Sequence, residues 1–286
     1  MEGSQERGVR PEAYPGKKTL KIVTEMRSPV PSHLDDHNLP VKLFAATIVI
    51  LMALVPVVPT SGKIAIEVAM VIVSALSWRK PSFPLGLFGT IFGGVVFLHI
   101  PYSQLSFALV IVLYLLVIAM FPHLRRGSGW FCRGEFGRTV ILLCFGTAAV
   151  SGVALIAWFM LTKPGIADLI RSFVPQASLP VLVVGGLIFA MVNAAVEEMV
   201  YRGAVVGGLV ESKVPTSILL PLQAIAFGTI HIGGFPRGWL GVALATVYGF
   251  LLGVIRLSSR GLLAPWAGHV LTDLVIVAIV FSVAGF

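Results

Sequence analysis

Long apolar segments joined by short loops fill most of the sequence, and they constrain the fold more than any other feature. The residues are 57% hydrophobic and only 12% charged, about half the charged fraction of a soluble domain. A bilayer offers no water to backbone N–H and C=O groups, so such segments must pair these groups internally, as an α-helix does. We predict an all-α polytopic membrane helix bundle with about eight to nine transmembrane helices. The predicted segments are 41–59, 64–78, 83–100, 105–122, 139–162, 179–209, 215–232, 239–256 and 261–284.

Three regions are predicted along the chain. Residues 1–40 are polar and charged, and we expect a disordered N-terminal tail. Residues 41–138 are expected to hold the N-terminal membrane helices and a basic cytoplasmic loop, HLRRGSGWFCRGEFGR, at 123–138. Residues 139–286 are expected to hold the C-terminal membrane helices and all of the candidate functional residues.

The net charge of +8 would suggest nucleic-acid binding in a soluble chain. Here the cations cluster in short loops between apolar segments, where they set membrane topology by favouring the cytoplasmic side. The distribution predicts a cytoplasmic N-terminus and no nucleic-acid partner. Cys132 and Cys144 have neither the number nor the spacing of a disulfide framework or a metal site.

Three ionisable side chains stand inside the sixth apolar segment, in the stretch AAVEEMVYRGAVVGGL (194–209). A charge at the centre of a membrane helix costs about 2.5–3.5 kcal/mol on insertion scales, so such residues are usually functional. Glu198 and Arg202 are four residues apart, which places them on one helix face and predicts an ion pair. Glu197 is rotated by about 100° around the helix and has no local partner. It is therefore the acid for which burial most needs a functional explanation.

Two later segments carry histidines. His231 ends the stretch FGTIH, and His269 and Asp273 lie four residues apart in GHVLTD. A carboxylate beside an imidazole orients the ring and raises its basicity. Each residue alone has an ordinary interpretation as a packing or interface residue. Together with the acids of the sixth segment, they predict a convergent polar site.

A glutamate and two histidines inside a helix bundle suit the activation of water. A carboxylate removed from water can act as a general base near neutral pH, and histidines opposite it could hold the oxyanion of a tetrahedral intermediate. The same residues together with Asp273 could instead bind zinc, which would activate the same water. Neither a His-Glu-x-x-His element nor a Gly-x-Ser-x-Gly nucleophile elbow occurs in the sequence.

Three motifs stand in order on successive polar-bearing segments: EEMVYR, FGTIH and HVLTD. They match Glu-Glu-x-x-x-Arg, Phe-x-x-x-His and His-x-x-x-Asn/Asp. In this order the sequence resembles the CPBP family of intramembrane proteases, which includes CAAX prenyl endopeptidases of the Rce1 type and bacterial glutamic-type relatives. The resemblance covers about residues 179–284.

The resemblance implies a role for each matching residue. Glu197 matches the general base, and Glu198 and Arg202 match a supporting acid and arginine. His231 and His269 match histidines that position the water or the oxyanion.

Asp273 departs from the eukaryotic prenyl proteases, which usually have asparagine at this position. Asparagine can donate a hydrogen bond to an oxyanion, whereas ionised aspartate cannot. We therefore expect Asp273 to orient His269 or to be protonated. The departure weakens the expectation of a prenylated CAAX substrate, and some bacterial relatives resemble sorting-system proteases that remove C-terminal anchoring signals.

The implied function is an intramembrane endopeptidase that uses glutamate-activated water to cut a peptide bond near the C-terminus of its substrate, without cofactor or metal. The expected partners are a membrane-associated protein or peptide substrate and the lipid bilayer, in a prokaryotic cytoplasmic membrane. One alternative is a zinc-dependent membrane protease with the same residues. Another is a non-catalytic bacteriocin-immunity or scaffold protein. A proton-coupled transporter is disfavoured because no inverted repeat is visible.

Overall fold

A computed structural model describes residues 39–97, 103–121, 124, 132–173 and 177–284. Most of the predicted tail and residues 125–131 of the basic loop lie outside the described residues. The described residues form helices and no strand, so the all-α prediction is confirmed. The first four helices are α1 (Leu39–Leu54), α2 (Thr60–Leu76), α3 (Phe83–Phe97) and α4 (Ser103–Met120).

The second half of the chain supplies the longer helices. They are α5 (Arg138–Phe173), α6 (Leu179–Glu198), a π-helical stretch (Met199–Val205), α7 (Val206–Glu211), α8 (Thr216–Thr229), a 3₁₀ turn (Ile230–Ile232), α9 (Gly238–Ser259) and α10 (Leu263–Ala284). The stretch from α6 through α7 is continuous and corresponds to the long sixth segment of the sequence. The order and approximate bounds of all nine predicted segments recur among the described helices.

Four helical spans are long and apolar enough to cross a bilayer: Arg138–Thr162, Leu179–Glu211, Gly238–Ser259 and Leu263–Val283. The protein is therefore an integral membrane protein, and the total of eight to nine crossing helices stays a prediction. Large apolar side chains on the outer face of α5 are exposed, among them Leu142, Val153 and Leu161. Such a surface is expected where lipid is the solvent.

The helices of the second half enclose the candidate site. Helix α8 packs on α9, and α10 packs on both α5 and α6. Helix α1 contacts α8, and α2 contacts α3, so the first half of the chain supports the second through a shared apolar core.

Two glycines allow close helix contacts next to the site. A Cβ added at Gly228 on α8 would lie 2.8 Å from the carbonyl oxygen of Val242 on α9. A Cβ added at Gly249 on α9 would lie 2.8 Å from Cδ1 of Phe227 on α8. Small residues let membrane helices approach closely, and here they press the end of α8 against α9.

Residues 132–137 form an extended strap that fixes the start of α10. The amide of Glu135 donates to the carbonyl of Ser259 at 2.8 Å, and the amide of Leu262 donates to the carbonyl of Cys132 at 2.9 Å. Gly134 has a φ of 79°, and a Cβ there would collide with Ser259 and Gly261. The strap thereby connects the loop before α5 to the turn that precedes His269.

Candidate active site

The two adjacent glutamates stand at the last turn of α6, directly before the π-helical stretch. Short π-helical turns inside α-helices are frequent at functional sites. Glu197 and Glu198 are both buried, with 8% and 1% of their surface exposed. Both glutamates lie close to His269, but only Glu198 is paired with Arg202.

Glu198 and Arg202 form the predicted ion pair. Nη1 of Arg202 lies 2.9 Å from Oε1 of Glu198, and Nη2 donates to the carbonyl of Gly249 at 3.0 Å. The guanidinium also lies over the ring of Phe227, with Cζ 4.5 Å from the ring centroid. Arg202 is fully buried, so its charge depends on these contacts.

His269 lies between the two glutamates. Its Nδ1 is 2.8 Å from Oε1 of Glu198, and because a carboxylate oxygen can only accept, the Nδ1–H is the donor. Its Nε2 faces two further carboxylates, 3.7 Å from Oε2 of Glu197 and 3.5 Å from Oδ1 of Asp273. One imidazole thus meets three acids from two helices.

Asp273 was expected to orient His269 or to be protonated, and the structure places it beside the imidazole; its role stays a prediction. The shortest contact of the imidazole is with Glu198, across helices, whereas Asp273 lies at the longer distance of 3.5 Å. The other oxygen of Asp273, Oδ2, accepts a hydrogen bond from Nδ2 of Asn193 at 3.0 Å. Spacing along α10 predicts the proximity of His269 and Asp273, but Glu198 holds the ring.

His231 follows α8 in the 3₁₀ turn, and its Nδ1 is 3.0 Å from the carbonyl oxygen of Phe227. Since a carbonyl only accepts, Nδ1 carries the proton, and in the neutral ring Nε2 is an acceptor. The ring of Phe227 lies 4.9 Å from that of His231 and 6.1 Å from that of His269, between centroids. Phe227 therefore packs against both histidines and Arg202.

A cavity of about 420 Å³ brings the polar groups together. Its polar lining includes Glu197, His231, His269, Asp273, Asn193 and Tyr248. Glu198 and Arg202 do not line it, although Glu198 contacts His269 directly. The cavity therefore separates one glutamate that is open to a ligand from one that is occupied by protein contacts.

The rest of the cavity is mostly apolar and reaches the outer surface of the bundle. Three of its lining residues are well exposed: Val150 on α5, Phe189 on α6 and Val247 on α9. Gly233 and Gly234, in the loop after His231, line it as well. An apolar cavity with a few convergent polar groups is the usual form of a small binding site.

Sequence reasoning missed Asn193 and Tyr248. Asn193 precedes Glu197 by four residues, so the same helix-face rule that predicts the pair of Glu198 and Arg202 also places Asn193 beside Glu197. Tyr248 stands in an apolar stretch of α9 with no polar neighbour in sequence, and only the packing brings its ring to 5.3 Å from that of His269.

Within the part of the chain that the structure describes, no group of three or more His, Cys, Asp or Glu side chains has the arrangement of a metal site. Among the cavity residues, Asp273 accepts a hydrogen bond from Asn193, His269 bonds to Glu198 outside the cavity, and His231 bonds to the carbonyl of Phe227.

Comparison with known proteins supports the motif assignment. The family described as "Type II CAAX prenyl endopeptidase Rce1-like" matches residues 179–275, a range that holds all six candidate site residues. Comparisons with curated proteins and with solved structures give no match. The family match indicates a CAAX-type intramembrane protease activity. Residues 179–275 are thus similar to the Rce1-like type II CAAX prenyl endopeptidases, in agreement with the resemblance carried by the three motifs.

Proposed function

We propose that this protein is a glutamic-type intramembrane endopeptidase that needs no metal, with Glu197 as the general base. One observation carries the proposal: Glu197 is the glutamate that lines the cavity beside both histidines, while Glu198 is occupied by Arg202 and His269. A base must be within reach of the proton that it removes. Glu197 meets that requirement for a water held in the cavity.

In the first step, the water is held between Glu197 and His231. The neutral His231 ring offers Nε2 as an acceptor because its Nδ1–H is used by Phe227. Glu197 removes one proton as the water oxygen attacks the carbonyl carbon of the substrate. The C=O π bond breaks, and its electron pair becomes the oxyanion of a tetrahedral intermediate.

In the second step, His269 stabilises that oxyanion. Its Nδ1–H is fixed by Glu198, so Nε2 is held toward Glu197 and Asp273, in the cavity. A protonated ring donates from Nε2 to the new negative charge, an interaction that strengthens in the transition state. The oxyanion then re-forms the carbonyl, the C–N bond breaks, and Glu197 returns its proton to the leaving amine.

The substrate would be a membrane-associated protein or peptide, cut near its C-terminus. The exposed rim formed by Val150, Phe189 and Val247 offers an apolar segment a route from the lipid to Glu197. Cleavage needs an extended or unwound segment, since the carbonyls of a helix are hidden in its own hydrogen bonds. A prenylated CAAX terminus and an apolar C-terminal sorting signal both fit this chemistry. We further propose that the protein resides in a prokaryotic cytoplasmic membrane.

The test compares membranes that contain the wild-type protein with membranes that contain Glu197→Gln, by quantifying new protein C-termini. A farnesylated peptide ending in Cys-Val-Ile-Met is assayed in parallel with purified protein in liposomes. Loss of the base should lower the rate by at least about 100-fold. The matched control is Glu135→Gln, the same change at an exposed position of the strap, which should cleave like wild type. Equal cleavage by wild type and Glu197→Gln would refute the proposal.

Two alternatives are separated by further measurements on the same preparations. A zinc protease would contain stoichiometric zinc and lose activity on strong chelation, whereas the proposed enzyme keeps its rate. A scaffold or immunity protein would retain its biological effect in isosteric variants of Glu197, His231 and His269, and no C-terminus would depend on Glu197.

A further inference from the structure

Asn193, which none of the motifs includes, forms a buried pair with the motif carboxylate Asp273 in the lining of the cavity. Nδ2 of Asn193 on α6 donates to Oδ2 of Asp273 on α10 at 3.0 Å. Asn193 and Asp273 are 7% and 2% exposed, and both line the cavity. A hydrogen bond between a neutral amide and a carboxylate in such surroundings is directional and costly to leave unmade.

The carboxylate of this pair also faces the imidazole of His269. With Oδ2 held by Asn193, the other oxygen of Asp273 lies 3.5 Å from Nε2 of His269. The opposite side of the ring is fixed by Glu198, whose oxygen is 2.8 Å from Nδ1. The ring is thus set by two contacts: a short bond at Nδ1 and a carboxylate at Nε2 whose own rotation Asn193 restricts.

We propose that Asn193 is a positioning residue, which fixes Asp273 so that Nε2 of His269 is aimed at the reacting carbonyl oxygen. Asn193 connects α6, which carries Glu197, to α10, which carries His269, one turn away from the base. It therefore sets the base and the oxyanion donor relative to each other. This inference rests on the proposed function, because it assigns Asn193 a part in stabilising the same oxyanion.

Exchanging the amide and the carboxylate between the two positions distinguishes a positioning role from a purely structural one. Asn193→Asp places two carboxylates against each other, and Asp273→Asn places two amides there. The double variant restores one amide and one carboxylate with their positions exchanged. Coupling between the two positions is then read from the double-mutant cycle.

The substrate for this assay is the one identified by comparing protein C-termini in wild-type and Glu197→Gln membranes. With it, Asn193→Ala is expected to lower kcat about 10- to 100-fold with little change in KM. A small misplacement of a reacting group can lower the rate about 100-fold. Asn193→Asp should be slower still, and the swapped double variant should recover at least about 10-fold over it. The control is Ser74→Ala, which removes a buried hydroxyl bonded to Met70 and Thr90 far from the cavity. It should lower the melting temperature and leave kcat unchanged.

A spectroscopic measurement makes the inference independent of cleavage. In protein labelled with ¹⁵N-histidine, the His269 signals are assigned by their loss in His269→Gln. Asn193→Ala should shift the Nε2 resonance of His269 and leave that of Nδ1 nearly in place, while Ser74→Ala should shift neither. An unchanged Nε2 resonance, or no recovery of kcat in the swapped variant, would overturn the role of Asn193. A wild-type protein that cleaves nothing would instead overturn the proposed function, and the resonance would still decide the positioning.

Discussion

Replacing Arg202 by methionine tests whether the buried ion pair, and not apolar packing alone, holds the site together. The side chain of Arg202 is fully buried and makes three contacts: with Glu198, with the carbonyl of Gly249 and with the ring of Phe227. Methionine has a similar length and fits an apolar site. The variant therefore removes charge and hydrogen bonds while it leaves little empty space.

The expected loss follows from what stays behind. Breaking a buried ion pair by removing one partner costs about 3–5 kcal/mol, because the other charge is left uncompensated. Glu198 keeps its bond to His269, and the carbonyl of Gly249 keeps the amide of Gln223 at 2.9 Å. We therefore expect the lower part of that range, about 3–4 kcal/mol, which corresponds to about 6–16 °C in melting temperature for a unit of this size.

The assay is thermal unfolding of detergent-solubilised protein, followed by tryptophan fluorescence. The double variant Arg202→Met/Glu198→Gln removes the stranded charge and should regain about half of the loss, because an uncharged pair has no ionic desolvation cost. Arg237→Met is the same change at an exposed position, and its free energy of unfolding should lie within about 0.5 kcal/mol of the wild-type value. The reasoning is refuted if Arg202→Met melts like wild type, or if the double variant is no more stable than the single one.

Two further predictions concern packing and access. Gly228→Ala should destabilise the protein by about 1–3 kcal/mol, because the new methyl meets the backbone carbonyl of Val242. A Cβ added at Gly185 on α6 would meet nothing within 4 Å, so Gly185→Ala should raise stability slightly in the same melting assay. Stability changes of the same sign in the two variants would contradict the close-contact argument. If substrate passes the exposed rim, Val150→Trp should raise KM and leave kcat unchanged. The control is Val153→Trp, at a position that is exposed on the same helix but lies outside the cavity, and it should change neither constant. Equal KM values for the two variants would exclude this route.

Much of the fold could be predicted from the sequence because each helix is encoded locally. A run of apolar residues that must satisfy its own backbone in lipid has one regular solution, and the nine segments recur as helices. The π-helical stretch from Met199 to Val205 could not be predicted in this way. Arg202, inside this stretch, contacts α8 and α9, and no local sequence pattern contains such contacts.

In the site, too, contacts within one helix could be predicted from the sequence, whereas contacts between helices could not. The pair of Glu198 and Arg202 follows from residues four apart on one helix, and the structure confirms it. The same rule places Asp273 near His269, as the structure shows, but it does not predict the short bond to the ring from Glu198 on another helix. Contacts between helices depend on how α6 and α10 pack, and spacing within one helix carries no information about that.

The proposed difference between the two adjacent acids has a physical argument behind it. If Glu198 took a proton from water, it would weaken both the ion pair with Arg202 and the bond that orients His269, so a catalytic cycle there would loosen the oxyanion donor at the moment it is needed. Glu197 can gain and lose a proton while that framework stays charged and fixed. The variants should therefore separate: Glu197→Gln should lose cleavage but melt close to wild type, whereas Arg202→Met should lose stability. Comparable melting losses in both variants would contradict this division, because Glu197 would then support the framework as much as Arg202 does.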